Sequence, residues 1–332
     1  MMNDWISEKY TPTNNNDATM FNNLGNNHFD QGNFDEAIDA YYHGLEIERR
    51  KLEPTHQNII VTLSNISETY RQLGDFELAI ETYIQVLVLQ REKFGVLHPE
   101  TAKTLHVIGL IHDQMGNLPY ALECIECVIS LQRNFNCKPE QRNLSTSLTH
   151  AGCIFFRMNM IYAALKYLHE ALLIERNRGD IEDMAFILYN MGLCYQAKGS
   201  LKSAIRCYTE SLELEIRTIG KDHKDISATM FKLGEVYSAV GQFDEALLFF
   251  QNALGVGRKQ EKNKKMDSVT ESRILIEIGY IHCYQGDVSS VRGILGELAV
   301  MEKEIGLSQV NMMLYRFLQT SSLSCWYLAS AA

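Results

Sequence analysis

The chain has 332 residues, of which 46% are hydrophobic, and its formal net charge is −10 at pH 7. Such an acidic chain is not suited to bind nucleic acid or an anionic membrane, because both require a basic surface. No uninterrupted run of about eighteen apolar residues occurs, so we expect no membrane-spanning helix. The eight cysteines are scattered, unlike those of a disulfide-rich secreted scaffold, and we therefore expect a reduced, cytoplasmic protein.

The first segment, residues 1–17, is polar and rich in asparagine. It has no apolar core that would mark a secretion signal and no heptad pattern that would mark a coiled coil. We predict that this segment is disordered.

From residue 18 onward, small residues recur about 42 positions apart. The clearest series consists of a glycine followed five positions later by an alanine. The glycines are Gly32, Gly74, Gly116, Gly199 and Gly241, and the alanines are Ala37, Ala79, Ala121, Ala204 and Ala246. A repeat of this length predicts stacked supersecondary units rather than one globular core.

The second repeat shows what each unit contains. Apolar side chains at Ile60, Leu63 and Ile66 have helical spacing. Gly74 suits the left-handed position that ends a helix, and a second helix is predicted from Phe76 to about Phe94. Each repeat is thus a pair of helices, which we call helix A and helix B.

A second series of small residues lies twelve positions before the alanine of each repeat. Its members are Gly25, Ser67, Gly109, Gly152, Gly192, Gly234 and Gly279. We expect these residues to let helices A and B approach closely.

About seven repeats can be traced over residues 18–306, with starts near residues 18, 60, 102, 145, 185, 227 and 272. The fourth repeat has Asn159 in place of the glycine, and the seventh has Val291 in place of the alanine. Residues 307–332 are predicted to form a capping helix that closes the array.

The segments Gly32-Asn-Phe-Asp-Glu-Ala37 and Gly241-Gln-Phe-Asp-Glu-Ala246 resemble the core motif of the tetratricopeptide repeat. The repeat length and the link at His98-Pro99 are similar to the kinesin light chain subclass. The resemblance implies an all-α fold, a right-handed α-solenoid of about seven helix pairs. Direct attachment to a kinesin heavy chain is not expected, because no heptad coiled coil precedes the repeats.

The resemblance also implies that the A helices line a concave groove. The residues that would contact a peptide or partner there are Asn23, Asn26, Asn65, Arg71, Lys103, His106, Arg157, Phe186, Tyr189, Asn190, Leu193, Phe231 and Lys232. Asn23, Asn65 and Asn190 share one offset, and an amide there can donate to and accept from a peptide backbone. Exposed asparagines without a role, and aromatic side chains packed between repeats, remain the alternatives.

The family's carboxylate clamp for chaperone tails is matched in part. Asn26, Asn65 and Lys103 agree with three of its five positions. Asn22 and Val107 occupy the two positions where cations are expected, and a terminal carboxylate requires charge-assisted donors. The clamp is therefore not predicted here.

No catalytic motif is visible, and we predict neither an enzyme nor a metal or cofactor site. Cys124 and Cys127 form the only close cysteine pair, and we interpret them as small buried residues. The leading hypothesis is a non-enzymatic adaptor that binds an extended peptide or a partner helix. A rigid spacer in a larger complex and a peptide-signal receptor are the alternatives.

Overall fold

The computed structural model describes residues 17–134, 138–221, 223, 226–258 and 268–305. Apart from Asp17, the predicted disordered segment lies outside this part of the chain, and so does the predicted capping helix at 307–332. The described residues form fourteen helices and no strand. These are α1 (Ala18–Asp30), α2 (Phe34–Lys51), α3 (Gln57–Leu73), α4 (Phe76–Phe94), α5 (Pro99–Gln114), α6 (Leu118–Gln132), α7 (Lys138–Arg157), α8 (Ile161–Arg178), α9 (Ile181–Ala197), α10 (Leu201–Ile219), α11 (Ile226–Val240), α12 (Phe243–Arg258), α13 (Ser268–Gln285) and α14 (Val288–Ile305).

The chain divides after Met158 into two compact units, which we call unit 1 and unit 2. Within each unit, every helix packs against the next one along the chain. Odd-numbered helices are the A helices and even-numbered helices are the B helices. The predicted all-α fold of consecutively packed helix pairs is confirmed. None of the described helices combines the length and the apolar character needed to cross a membrane.

The turn between helices A and B is built around a left-handed residue. Gly74, with φ 88°, caps α3, and the Asp75 N–H donates to the Tyr70 carbonyl at 3.0 Å. The φ angle is positive at all five glycines of the first predicted series. Asn159 takes the same conformation with φ 61°, because asparagine is the residue that best tolerates it after glycine.

Helices A and B approach closely where the second series of small residues lies. A Cβ atom added to Gly234 would lie only 2.5 Å from Cε1 of Phe250, a fully buried ring of the facing helix. Gly25 has the same relation to Tyr41. The glycine therefore leaves space for an aromatic ring to pack closely against helix A.

A buried polar position on the B helices was not predicted. It lies eleven residues after Ala37, Ala79 and Ala121 of the first series and after Ala164 of the fourth repeat, and Glu48, Gln90, Gln132 and Glu175 occupy it. Glu48 is 2% exposed and accepts a hydrogen bond from Asn22 at 2.9 Å. Asn22 also donates to Thr62 of α3 at 2.9 Å. Glu48 thus joins α2 to α1 of the same repeat, and Asn22 joins that pair to α3 of the next repeat.

Candidate functional site

The predicted contact residues lie on the A helices of both units. Seven belong to unit 1, namely Asn23, Asn26, Asn65, Arg71, Lys103, His106 and Arg157. Six belong to unit 2, namely Phe186, Tyr189, Asn190, Leu193, Phe231 and Lys232. The face that carries them is called the A-helix face below, and the two units are considered separately.

The two asparagines of unit 1 that share the predicted offset differ in exposure. Asn23 is exposed on α1, whereas Asn65 is half-buried on α3. Asn26 is exposed but accepts a hydrogen bond from the Tyr41 hydroxyl at 2.7 Å. Burial of Tyr41 raises the pKa of its hydroxyl to about 12, so Tyr41 is a permanent donor to Asn26.

Arg71 is held by its own helix. Its Nε donates to Glu68 Oε2 at 2.8 Å, and the Tyr83 hydroxyl donates to the same oxygen at 3.2 Å. Burial raises the pKa of the Glu68 carboxyl, but the hydrogen bonds from Arg71 and Gln72 outweigh it and leave the pKa below its ordinary value. Glu68 is therefore ionised, and Arg71 on the A-helix face forms an ion pair with it.

The positions that resemble the carboxylate clamp do not form a cationic pocket. Lys103 is exposed and pairs with Glu100 at 2.6 Å. Asn22, which stands where a cation was expected, points instead into the contact with Glu48 and Thr62.

Two side-chain pairs join α5 to α7 in unit 1. His106 Nε2 lies 2.9 Å from His150 Nδ1, and the two rings are stacked with centroids 5.0 Å apart. Arg157 forms an ion pair with Asp113. Burial, followed by the charge of His150, lowers the pKa of His106 to about 4. Both imidazoles are therefore neutral near pH 7, and one donates a hydrogen bond to the other.

Unit 2 contains a cavity of about 400 Å³ between α9, α10 and α11. Phe186 and Tyr189 form its α9 wall, as two of the predicted contact residues. Phe186 is 54% exposed, and Tyr189 is half-buried against Tyr208 with ring centroids 5.7 Å apart. The cavity therefore presents aromatic surface to solvent.

The other predicted residues of unit 2 are less accessible. Asn190 donates from Nδ2 to the Phe186 carbonyl at 2.8 Å, and Leu193 packs against the core around Tyr208. Phe231 is 7% exposed and packs on Phe250. It lies in the core rather than on the open face, because the glycine of its repeat leaves room for Phe250 beneath it.

Charged groups surround Phe231 on α11 and α13. Lys232 donates to Glu235 at 2.7 Å, and the guanidinium carbon of Arg273 lies 5.3 Å from the centroid of the Phe231 ring. Burial and the neighbouring Glu235 raise the pKa of Glu277. Arg273 thus covers the ring that the sequence had suggested as an open contact.

Sequence reasoning missed several residues of the cavity. These are Glu182 and Ala185 of α9, Glu215, Thr218 and Ile219 of α10, and Ala228 and Thr229 of α11. Glu215 Oε1 accepts hydrogen bonds from Ser211 at 3.1 Å and from Thr229 at 2.9 Å. A signal existed for Glu215, because it occupies the recurrent polar position eleven residues after Ala204.

The acidic side chains Glu175, Asp180 and Asp183 come together in unit 2. Arg178 already supplies a cation there, since its guanidinium donates to both oxygens of Glu175 at 2.8 and 2.9 Å. We therefore assign an ion pair to this cluster.

The interpretation of the cysteine pair needs a correction. Cys124 and Cys127 are free thiols, and Cys127 is exposed rather than buried. Cys124 is half-buried, and this burial raises the pKa of its thiol. Cys127 falls on the outward side of α6, because the next buried positions, Val128 and Ile129, are the ones that face the core.

Comparison with known proteins supports the resemblance. The tetratricopeptide repeat model matches residues 16–87, 61–134 and 183–259, more than half of the chain. No curated protein matches the chain.

Several solved structures have a similar fold. The chain is 16% identical to BtubC (BKLC) from P. vanneervenii, with a TM-score of 0.60, and the match covers 72% of this chain and 92% of that one. It is 17% identical to a kinesin light chain-type protein of nearly identical TPR-like repeats from Podosopora anserina, with a TM-score of 0.52 and coverage of 60% and 95%. The apo form of RapI is 16% identical, with a TM-score of 0.64 and coverage of 80% and 70%.

The solved structures are similar to this chain in fold, whereas the family model matches the amino-acid sequence of the repeats. The matched segments support membership of that family. The small residues between the helices and the left-handed turns agree with it. The chain belongs to the tetratricopeptide repeat family.

Proposed function

We propose that this protein is a non-enzymatic adaptor that holds an extended peptide or a partner helix against its A-helix face. Tetratricopeptide repeats are typically protein-interaction modules and are generally non-catalytic. The observation that carries the proposal is the cavity of about 400 Å³ lined by Phe186 and Tyr189. Its volume falls within the usual range for ligand sites, about 300–1,000 Å³.

The physical argument starts from the exposed ring of Phe186. An aromatic side chain that is 54% exposed beside a concave apolar surface leaves hydrophobic area in contact with water. A partner side chain that enters the cavity removes this area from water, which stabilises the complex by about 25 cal/mol per Å². Aromatic anchors in such pockets contribute much of the binding energy in protein interfaces.

The remaining contacts suit a peptide backbone. In unit 1, Asn23 and Asn65 provide amide groups at the same offset of their A helices. An amide can accept from a backbone N–H and donate to a backbone carbonyl. Such contacts hold an extended chain without selecting its sequence.

A random peptide library displayed on phage tests the proposal. The full chain is immobilised and compared with its Phe186→Ala variant. We expect peptides to be enriched on the parent protein and to be lost from the variant. Leu173→Ala is the matched control, because Leu173 is 62% exposed on a B helix and does not line the cavity. The proposal fails if no peptide is enriched on the parent protein. It also fails if Phe186→Ala retains the enriched peptides as well as Leu173→Ala does.

The spacer hypothesis has one supporting observation. Leu173 on α8 and Leu248 on α12 are 62% and 57% exposed on B helices, so apolar side chains are also available away from the A-helix face. A Leu173→Glu, Leu248→Glu double variant would lose assembly with its partners under this hypothesis. Under the adaptor hypothesis, it would bind the selected peptides as the parent does.

A further inference from the structure

We propose that the cavity of unit 2 binds an extended peptide rather than a partner helix. An apolar side chain of the peptide would fill the cavity, and a neighbouring backbone carbonyl would accept a hydrogen bond from the Tyr189 hydroxyl. This inference rests on the proposed function and selects one of its two forms.

The threonine hydroxyls on the cavity wall already have acceptors. Thr218 donates to the backbone carbonyls of Leu214 and Glu215, in each case at 3.1 Å. Thr229 donates to the Glu215 carboxylate at 2.9 Å. The hydroxyl hydrogens of both threonines are thus used within the protein, and a guest in the cavity gains no hydrogen bond from them.

The Tyr189 hydroxyl is a donor on the same cavity that has no such acceptor. Within the described part of the chain, no residue forms a hydrogen bond with it. The Tyr189 ring is half-buried against Tyr208, whose own hydroxyl donates to Gln196 at 3.0 Å. A partner that brings an acceptor to Tyr189 therefore gains a hydrogen bond without breaking one inside the protein.

The surroundings of Tyr189 keep its hydroxyl protonated. Burial raises the pKa of this group, and the carboxylates of Glu235 and Glu215 raise it further, while Arg273 opposes them. A phenol is a better donor than acceptor, because the lone pair of its oxygen is delocalised into the ring. The backbone carbonyl of an extended peptide is a neutral acceptor and suits this donor.

A partner helix suits the Tyr189 hydroxyl less well. The backbone carbonyls of a helix accept hydrogen bonds from its own N–H groups. The side chains of the helix also stand between these carbonyls and the surface on which it docks. Only the carbonyls of an extended peptide remain available along its length.

The spacing of the two aromatic residues matches an extended chain. Phe186 and Tyr189 are three residues apart on α9 and are therefore neighbours on its surface. This separation is about 4.5 Å along the helix, and an extended chain advances about 3.3 Å per residue. A side chain packed on Phe186 and the carbonyl of an adjoining residue can therefore reach both groups at once.

The first test measures affinity for one peptide that the parent protein enriches and Phe186→Ala loses. The probe is that peptide carrying a fluorescent label, and binding to the parent and to Tyr189→Phe is followed by fluorescence anisotropy. We expect the affinity to fall about two- to tenfold in Tyr189→Phe, since a hydrogen bond between neutral groups contributes about this factor. The thermal stability should not fall, because the substitution breaks no hydrogen bond within the described part of the protein.

Tyr162→Phe is the matched control. Tyr162 is 75% exposed on α8 and does not line the cavity, so this variant should bind the peptide as the parent does. An unchanged affinity in Tyr189→Phe, or an equal loss in Tyr162→Phe, would overturn the inference. A lower thermal stability in Tyr189→Phe would also overturn it, because the hydroxyl would then serve the fold.

The second test identifies the acceptor. Each peptide bond near the apolar residue of the probe is replaced in turn by an ester, whose carbonyl is a weaker acceptor than that of an amide. One replacement should weaken binding to the parent more than binding to Tyr189→Phe, which lacks the donor. If no ester shows this coupling, the acceptor is not a backbone carbonyl and the inference is wrong.

The third test concerns the conformation of the bound peptide. Two α-aminoisobutyrate residues that flank the apolar residue favour a helix, which circular dichroism of the free peptide verifies. We expect this peptide to bind more weakly than one with alanine at the same two positions. Equal or tighter binding would overturn the inference and leave the adaptor proposal intact. Failure of the parent protein to enrich any peptide would instead refute the adaptor proposal.

Discussion

The substitution Gly234→Ala tests how the helix pairs are packed. Gly234 lies on α11 and faces Phe250 of α12. An added Cβ would lie 2.5, 2.6 and 2.9 Å from three carbons of that ring. Real carbon contacts are about 3.5–4.0 Å, so either the ring or the helix must move by about 1 Å. The ring is fully buried, so its displacement would disturb the surrounding core.

The expected change in the free energy of unfolding results from two opposing effects. Replacing glycine by alanine inside a helix stabilises it by about 1 kcal/mol. Forcing an extra carbon into a packed core costs about 1–3 kcal/mol. Gly255→Ala on α12 gives the first effect alone, because nothing lies within 4 Å of the added carbon. We therefore expect Gly234→Ala to be about 1–3 kcal/mol less stable than Gly255→Ala.

The assay is urea unfolding followed by circular dichroism. Hydrogen exchange at the amides of α11 and α12 accompanies it, because repeats can unfold separately. In a Phe250→Leu background, the additional cost of Gly234→Ala should become smaller. Repeats three and four already carry the aliphatic residues Ile125 and Leu168 at this position. If Gly234→Ala stabilises the protein as much as Gly255→Ala does, the packing argument is wrong.

Three further predictions concern single positions. Asn159 has φ 61°, so Asn159→Ala should destabilise the turn by about 1–2 kcal/mol, whereas Asn159→Gly should not, as thermal unfolding will show. Burial lowers the pKa of His106 from 6.5 to about 4, so the unfolded chain binds this proton more tightly between those pH values. The free energy of unfolding should therefore fall as the pH drops from about 6.5 to 4, by at most about 3 kcal/mol, and His106→Gln should flatten this dependence in urea titrations. A slope that stays the same in that variant would contradict the assignment. Asn22→Ala removes a donor from the buried Glu48 carboxylate and should cost about 1–3 kcal/mol, whereas Asn23→Ala, at an exposed position, should change stability by less than about 0.5 kcal/mol.

The fold could be predicted from the sequence because each repeat requires the same types of residue at the same offsets. Gly74 must adopt a positive φ, and Gly234 must leave room for Phe250. These requirements act within one helix pair, so the spacing of small residues is enough to reveal them. Asn159 shows that even a departure from the pattern can satisfy the same backbone geometry.

The candidate site could be predicted only in part. Phe186 and Tyr189 were expected on the A-helix face, and they do line the cavity. Phe231 was expected there too, but it is buried under Arg273. Whether a groove aromatic is open or covered depends on the next repeat, which supplies the covering side chain. A spacing pattern within one repeat does not contain this information.

The same reasoning explains why the charge of the cavity was not foreseen. Glu215 occupies a polar position that is buried in other repeats, where Glu48 and Glu175 stand. At Glu215 the following A helix supplies Thr229, and the adjoining residues Ala228 and Ile219 leave a cavity open beside the carboxylate. The polar position that is buried in other repeats thus lines a cavity in this one. The binding specificity of such an array therefore depends on where cavities remain between adjacent repeats. These cavities can be identified only when the side chains of both repeats are considered together.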